Sequence, residues 1–238
     1  MKLYRSEFDS EIFGVDWFKL KLDVFDQFNK INLCRKIIES NAGYVETKIR
    51  ASNIYLEKSL KEIGFRKISV QPTFQFQLTN SKNHKIIDKK YLKEILDIET
   101  IERISNKNCN LFRASRFNLD EKLDLRLVKK HMKKWIYNSL QNKTYYKYII
   151  NDSFCTLKKH NNDMIIDLIG VCVEQQHQGI GTRLLKMSIE NSINIGAINL
   201  IATTEFENTK SVLFYLKHGF HICNTNTVLH LDVADLCT

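Results

Sequence analysis

The stretch QQHQGIGTRLL, Gln175 to Leu185, sets Gly179 and Gly181 one residue apart ahead of a leucine-rich run. Met164–Val173 before it reads as a buried strand. Thr182–Ile189 after it reads as an amphipathic helix with Leu184, Leu185 and Ile189 inside. The glycines therefore fall on a strand-to-helix turn. Backbone N–H groups at a helix start are unpaired, and the helix dipole favours an anion there. Without Cβ atoms, Gly179 and Gly181 leave a phosphate room against the backbone, and Gln176 and Gln178 offer further donors. The stretch is not a P-loop, because Gly181-Thr182-Arg183 stands where G-K-[ST] is required. Leu184 occupies the third glycine site of G-x-G-x-x-G. What remains is Gln-x-x-Gly-x-Gly, which suits either an anion site or a purely structural turn.

Around this turn the pattern is strands, helix, strand, helix, strand. Tyr145–Ile150, Phe154–Leu157 and Met164–Val173 form a meander. A helix to about Asn191, a strand at Ala197–Thr203, a helix at Thr209–His218 and a strand at Thr227–Leu231 follow. This order implies an α/β (α+β) sandwich with a mixed central sheet flanked by helices. Upstream, strands are expected at Trp17–Phe25, Tyr44–Ile49 and Thr73–Leu78, with helices at Gln27–Asn41 and Leu56–Ile63. A linker begins in Thr79–Lys90, a helix spans Tyr91–Ile104, and Asn106–Asp120 is irregular. A long helix capped by Asp120 then runs to about Leu140, with Leu123, Leu127, Val128, His131, Trp135 and Ile136 facing inward.

Two stretches echo one another. NIYLEKSLKEIGF (Asn53–Phe65) and NTKSVLFYLKHGF (Asn208–Phe220) each open on Asn, run through a short amphipathic helix and close on Gly-Phe. Each lies between two strands, which reads as a duplicated module. Tyr215 aligns with Leu60, and the first copy has no Gly-x-Gly turn ahead of it. Two units are expected: 1–80 as a degenerate structural half, and 81–238 as the half that does the chemistry.

Bulk properties narrow the classes. A chain of 238 residues with 43% hydrophobic and 26% charged residues is a globular one with a substantial core. No run of about 18 apolar residues exists, so no membrane span is expected. The first residues, MKLYRSEFDSEIFG, lack the apolar core of a signal peptide. The six cysteines are scattered, with no C-x-x-C pair and no histidine at zinc-ligand spacing. A reduced, cytoplasmic protein without a metal is the expectation. The net charge of +9 would suit nucleic acid or an acidic ligand. No nucleic-acid-binding motif accompanies it, and Lys is abundant together with Asn and Ile as a general compositional bias. Nucleic acid is therefore not expected as a partner.

Residues Tyr145–Leu231 resemble the GCN5-related N-acetyltransferase (GNAT) superfamily in two motifs at the right order and spacing. These are Gln176-His177-Gln178-Gly179-Ile180-Gly181 and the later block LIATTEFENTKSVLFYLKHGF. The resemblance implies a GNAT fold with a degenerate GNAT-like N-terminal half, and acetyl-CoA as co-substrate. It implies that Gln176, Gln178, Gly179, Ile180, Gly181 and Thr182 hold the pyrophosphate, that Val171, Cys172 and Val173 pair with the pantetheine arm, and that Asn208 is a polar contact to the cofactor. Tyr215 would stand near the sulfur as general acid: a phenol of ordinary pKa near 10 can protonate a thiolate of comparable basicity. The base stays open between Asp167, Glu174, His177 and a water chain.

A narrower likeness concerns the acceptor. Phe13-Gly14-Val15, KIRASN (Lys48–Asn53), LKEIGF (Leu60–Phe65) and Ser115-Arg116-Phe117 resemble enzymes that acetylate dTDP-4-amino-4,6-dideoxygalactose for bacterial surface polysaccharide. Those enzymes have acidic residues where Ser69, Val70 and Gln71 stand here. The likeness implies a nucleotide-sugar substrate; read from the residues themselves, Arg113 and Arg116 stand in an irregular loop where their forked guanidinium groups either hold a diphosphate or are solvated loop charges. Phe117 or Trp135 could stack the base. A peptide, polyamine or antibiotic amine is the alternative acceptor. Monomer and homodimer both stay open.

Overall fold

The computed structural model describes residues 1–22, 28–78 and 96–236. The expected linker, the start of the helix expected from Tyr91 and the end of the strand expected over Trp17–Phe25 lie outside these residues. The first half contains β1 (Lys2–Arg5), α1 (Glu7–Phe13), β2 (Trp17–Lys21), α2 (Lys30–Glu39), β3 (Tyr44–Arg50), α3 (Ile54–Lys61) and β4 (Arg66–Gln77). Three helices follow: α4 (Ile98–Asn108), α5 (Arg116–Leu119) and α6 (Leu125–Gln141). The second half contains β5 (Tyr146–Ile150), β6 (Ser153–His160), β7 (Asp163–Gly170), α7 (Ile180–Asn194), β8 (Asn199–Thr203), α8 (Thr209–Lys217) and β9 (His221–Asp232). Among the described residues all strands join one mostly antiparallel sheet, in the order β1-β2-β3-β9-β4-β8-β7-β6-β5.

Side chains alternate across a strand, so each strand feeds two layers. Val45 and Ile49 of β3 pack with Leu33 and Ile37 of α2 and Leu60 of α3. Met164 and Ile166 of β7 join Leu184 and Leu185 of α7 and Val212 of α8 in the same layer of helices. On the opposite face Trp17 and Tyr44 pack with Phe13 of α1, Phe117 of α5 and Val128 of α6. Each Leu- or Ile-sized side chain sealed in these layers contributes about 1.5–3 kcal/mol.

The sequence echo is a structural one. Asn53 caps α3 by accepting from the Leu56 N–H at 3.1 Å, and Asn208 caps α8 by accepting from the Ser211 N–H at 3.2 Å. The Phe65 N–H donates to the Leu60 carbonyl and the Phe220 N–H to the Tyr215 carbonyl, both at 3.1 Å. The parallel pair β2–β3 corresponds to the parallel pair β7–β8.

The two halves exchange their last strands. β4 follows α3 yet pairs with β8, while β9 follows α8 yet pairs with β3. β4 and β9 also pair with each other along nearly their whole lengths. This explains why both begin about six residues earlier than the hydrophobic pattern indicates: ladder hydrogen bonds, not alternation, hold Arg66–Pro72 and His221–Asn226 extended. Neither β1 nor α1 was expected. α6 is capped by Asp124, whose side chain accepts from the Arg126 N–H, rather than by Asp120. Asp120 is sealed inside instead, bonded to Tyr44, Arg66 and His230.

Candidate active site

The sheet opens in the middle of the second half. β7 and β8 pair only from Asp163↔Asn199 to Ile165↔Ile201, although β7 runs on to Gly170. The chain after β8 stays with β4 instead: the Phe206 N–H donates to the Val70 carbonyl at 2.8 Å. The edge of β7 beyond Ile165 therefore lacks a strand partner on its β8 side. Gly170 ends the strand against a wall, because a Cβ there would lie 2.8 Å from the Phe154 ring. Val171–Val173 does not continue as strand. The Ser153 hydroxyl takes the Cys172 N–H at 3.0 Å, and Val173–Gln175 forms a 3-10 turn. The unpaired strand edge is thus Ile166–Gly170, just upstream of the residues expected to pair with a pantetheine arm.

The glycine turn follows. Gly179 is the N-cap of the 15-residue helix α7, with φ +75°, and space around its Cβ position is empty to 4 Å. A Cβ on Gly181 would make ordinary 3.5 Å contacts with Val171 and Phe214. The six consecutive backbone N–H groups of His177, Gln178, Gly179, Ile180, Gly181 and Thr182 have no hydrogen-bond partner among the described residues. The glutamine side chains serve the loop itself. Gln176 Nε2 donates to the Val171 carbonyl at 3.2 Å, and Gln178 Nε2 to the Glu174 carbonyl at 3.0 Å. The Thr182 hydroxyl bonds His218 Nε2 at 3.1 Å, while His218 Nδ1 bonds the Phe214 carbonyl. The donors left for an anion are the backbone amides. Ile180 itself is buried in the core, and the buried Cys172 thiol bonds Glu174.

Two cavities meet at the open notch. One, of about 280 Å³, is lined by Gly170, Val171, Gln176, Gly181, Asn208 and Phe214 among others. The other, of about 340 Å³, is lined by Ile165–Ile169, Thr203–Glu205 and Tyr215, and by Lys48, Gln71, Arg116 and Trp135. Phe112, Ile169, Asn208 and Ser211 belong to both walls. The notch lets Tyr215, on a helix of one sheet face, reach a cavity on the other.

Tyr215 is 4% exposed and packed against Phe74, Phe214 and Phe220. Its hydroxyl has no hydrogen-bond partner among the described residues. Burial, helped by the nearby Cys155 thiol, pushes the phenol well above its usual range, so it is protonated at neutral pH. Arg116 lies in the cavity wall, its Nε 3.1 Å from Glu46 and its backbone N–H 3.0 Å from Glu205. Arg113 is exposed and outside these walls. Phe117 is sealed in the core beneath the Arg116 guanidinium, with no face left to stack a base, whereas Trp135 is half-buried in the cavity wall.

Of the open base candidates, Asp167 has both oxygens engaged, by Ser139 and Lys158. Glu174 and His177 are exposed on the loop. Sequence reasoning missed Glu205. This carboxylate is 9% exposed, and its Oε1 accepts from Gln71 Nε2 at 2.8 Å and from the Arg116 N–H. Its Oε2 has no partner among the described residues and is not sealed from the cavity. The local signal was weak: one of the two acids in TTEFEN, two residues after a strand.

Residues 142–222 match the family model described as the acetyltransferase (GNAT) domain. The match covers about a third of the chain and makes this segment similar to GNAT acetyltransferase domains. Solved structures share the fold well beyond that segment. A GCN5-related N-acetyltransferase from Sphaerobacter thermophilus aligns over 98% of this chain and 76% of its own, at TM-score 0.61 and 11% identity. A conserved protein of unknown function from Staphylococcus epidermidis aligns over 94% and 88%, at TM-score 0.59 and 14% identity. A tandem GNAT protein from the clavulanic acid biosynthesis pathway aligns over 92% and 76%, at TM-score 0.56 and 9% identity. No curated protein sequence matches. The GNAT domain and the shared fold support an acyl-CoA-dependent N-acetyltransferase. Among the described residues no helix is long and apolar enough to cross a membrane, and no group of three or more His, Cys, Asp or Glu could hold a metal.

Proposed function

We propose that the protein moves acetyl from acetyl-CoA to the amino group of a nucleotide-linked 4-amino-4,6-dideoxy sugar, for bacterial surface polysaccharide. The observation that carries the transfer reading is the run of six unpaired backbone N–H groups at the start of α7, beside a sheet notch lined by Tyr215. Those amides suit a pyrophosphate. Asn208, in the wall shared by both cavities, suits a polar contact to the pantetheine arm, and the free edge of β7 suits its amides.

Glu205 Oε2 takes the proton of the incoming ammonium, which frees the nitrogen lone pair for attack on the thioester carbonyl. As the carbon–sulfur bond breaks, the Tyr215 hydroxyl gives its proton to the departing sulfur, and the second proton, shed by the nitrogen as it becomes an amide, returns through solvent to the Tyr215 phenolate. Burial keeps the phenol protonated, so its proton is in place when the sulfur departs. Arg116 stands at the acceptor side as a forked cation for a diphosphate. The sequence blocks around Lys48–Asn53 and Ser115–Phe117 support the amino-sugar acceptor.

The test is release of free thiol from acetyl-CoA with four acceptors: dTDP-4-amino-4,6-dideoxygalactose, a peptide N-terminus, a polyamine and an aminoglycoside. The amino sugar should be turned over at least tenfold faster in kcat/KM than the others, about 1.4 kcal/mol of discrimination. Turnover of the peptide with none of the sugar nucleotide overturns the acceptor. Tyr215→Phe should lower kcat by about 10²–10⁴, the range of general-acid catalysis, with the KM for acetyl-CoA within about twofold. An unchanged kcat removes Tyr215 from the mechanism.

A further inference from the structure

The first half has a notch of its own. Among the described residues β2 and β3 pair only from Trp17↔Tyr44 to Leu20↔Thr47, and β3 then continues to Arg50 along β9. The Ala51 N–H donates to the Thr225 carbonyl, which draws the chain further from β2. This repeats the parting of β7 and β8. A cavity of about 320 Å³ fills the opening, within the range of small-molecule sites. Its lining is Tyr4, Lys19, Leu20, Lys21, Glu46, Thr47, Lys48 and Arg116. Among the described residues four cations thus face a single carboxylate.

The local pairings leave much of that charge available. Glu46 is tied to Arg116, and Lys19 Nζ lies 2.7 Å from Asp9. The side chains of Lys21 and Lys48 have no hydrogen bond or ion pair among the described residues. Arg116 uses only Nε toward Glu46. Its two terminal nitrogens have no hydrogen-bond or ion-pair partner among the described residues and are not sealed from solvent. Burial and the neighbouring Arg116 push Lys48 down to about 8, against the opposing pull of Glu46 and Glu205. A cation depressed in this way gains from an anion placed beside it. The cavity at Tyr215 differs. There Lys158 is paired with Asp167, and Glu205 adds a second carboxylate. Lys48 and Arg116 line both cavities and form their common wall.

We propose that the notch of the first half is a phosphoryl-binding site, in which Lys48, Lys21 and the free face of Arg116 hold the diphosphate of the acceptor. A molecule spanning the common wall then has its anion in this notch and its amine beside Glu205 and Tyr215. The inference rests on the acetyl-transfer reading for the identity of that molecule. The cationic cavity itself does not depend on it.

The experiment is calorimetric titration of dTDP into the full-length protein saturated with CoA, so that the α7 loop is filled. Lys48→Met and the double variant Lys21→Met/Lys48→Met are compared with Arg113→Ala. Neither the Lys21 nor the Lys48 side chain has a hydrogen bond or ion pair among the described residues, so their replacement leaves no protein group unpaired; equal melting temperatures and CoA affinities verify that the fold is kept. One dTDP per chain is expected. Lys48→Met should weaken it about tenfold, the double variant further, and Arg113→Ala less than twofold. Inorganic pyrophosphate should displace dTDP, and thymidine should bind at least tenfold more weakly. The proposal is overturned if dTDP does not bind the CoA-saturated protein, if Lys48→Met leaves the affinity within twofold, or if thymidine binds as well as dTDP. Failure of the protein to bind CoA would instead sink the acetyl-transfer reading. Lys48-dependent binding of dTDP would then still establish the notch.

Discussion

Replacing Gly179 by alanine separates the two readings of the turn, anion cradle or structural corner. The backbone there has φ +75°, where an L-residue's Cβ crowds the following carbonyl, at a cost of about 1–2 kcal/mol. Nothing else opposes the methyl group, because the space around it is empty to 4 Å. Gly196 provides a matched control. It has φ +76° and equally empty surroundings, but it lies at the other end of α7, past its C-cap. Each alanine variant should therefore lower Tm by about 2–8 °C, since 1 kcal/mol shifts a chain of this size by about 2–4 °C. Their ligand affinities should differ. In Gly179→Ala the methyl group enters the space above six unpaired N–H groups, and the Kd for CoA should rise at least tenfold, about 1.4 kcal/mol. In Gly196→Ala it should stay within twofold. Thermal unfolding and calorimetry with CoA read both quantities. Equal CoA affinities in the two variants would refute the anion cradle and leave the glycine a purely structural residue.

Other outcomes follow from the same geometry. Glu205→Gln keeps an amide oxygen for Gln71 and the Arg116 N–H but cannot take a proton, so kcat/KM should fall by about 10²–10⁴ while Tm stays within a few degrees. Retained activity would hand the role of base to water. Gly170→Ala puts a methyl group 2.8 Å from the Phe154 ring and should cost about 1–3 kcal/mol in urea unfolding; a neutral result would mean that the β6–β7 wall yields. Acid should destabilise the first half. Burial alone would raise the carboxylates of Asp9, Glu46 and Asp120, but His131, Arg116 and His230 respectively lead the groups that hold them below their usual range. Depressed folded-state values mean that this stability is complete above about pH 5 and is lost as pH falls through 4 toward 2. Glu46, held at about 2, contributes on the order of 3 kcal/mol. A urea midpoint equal at pH 7 and pH 3 would contradict this.

Some of the molecule was legible because its causes are local. The Gly-x-Gly turn opens α7 as its spacing indicates, and Asn53 and Asn208 cap the helices they precede. The Gly-Phe closures of the echo form the same backbone hydrogen bond in both copies. Other residues misled because their roles depend on distant partners. Asp120 looks like a cap but closes a buried network with Tyr44, Arg66 and His230, from three other strands.

The sequence by itself determined what short stretches can settle: where helices start and stop, that a Gly-x-Gly turn opens α7, and that a module occurs twice. Hydrogen bonds between near neighbours fix those features, and the residues responsible stand together in the chain. Only the tertiary structure decided that β4 and β9 change places. That exchange brings Gln71 from the first half against Glu205 of the second, and makes Lys48 and Arg116 a wall between two notches. A strand's partner is set by backbone groups that every residue possesses, so no local pattern reveals it. Glu205 and Lys48 acquire their surroundings only when the sheet has closed.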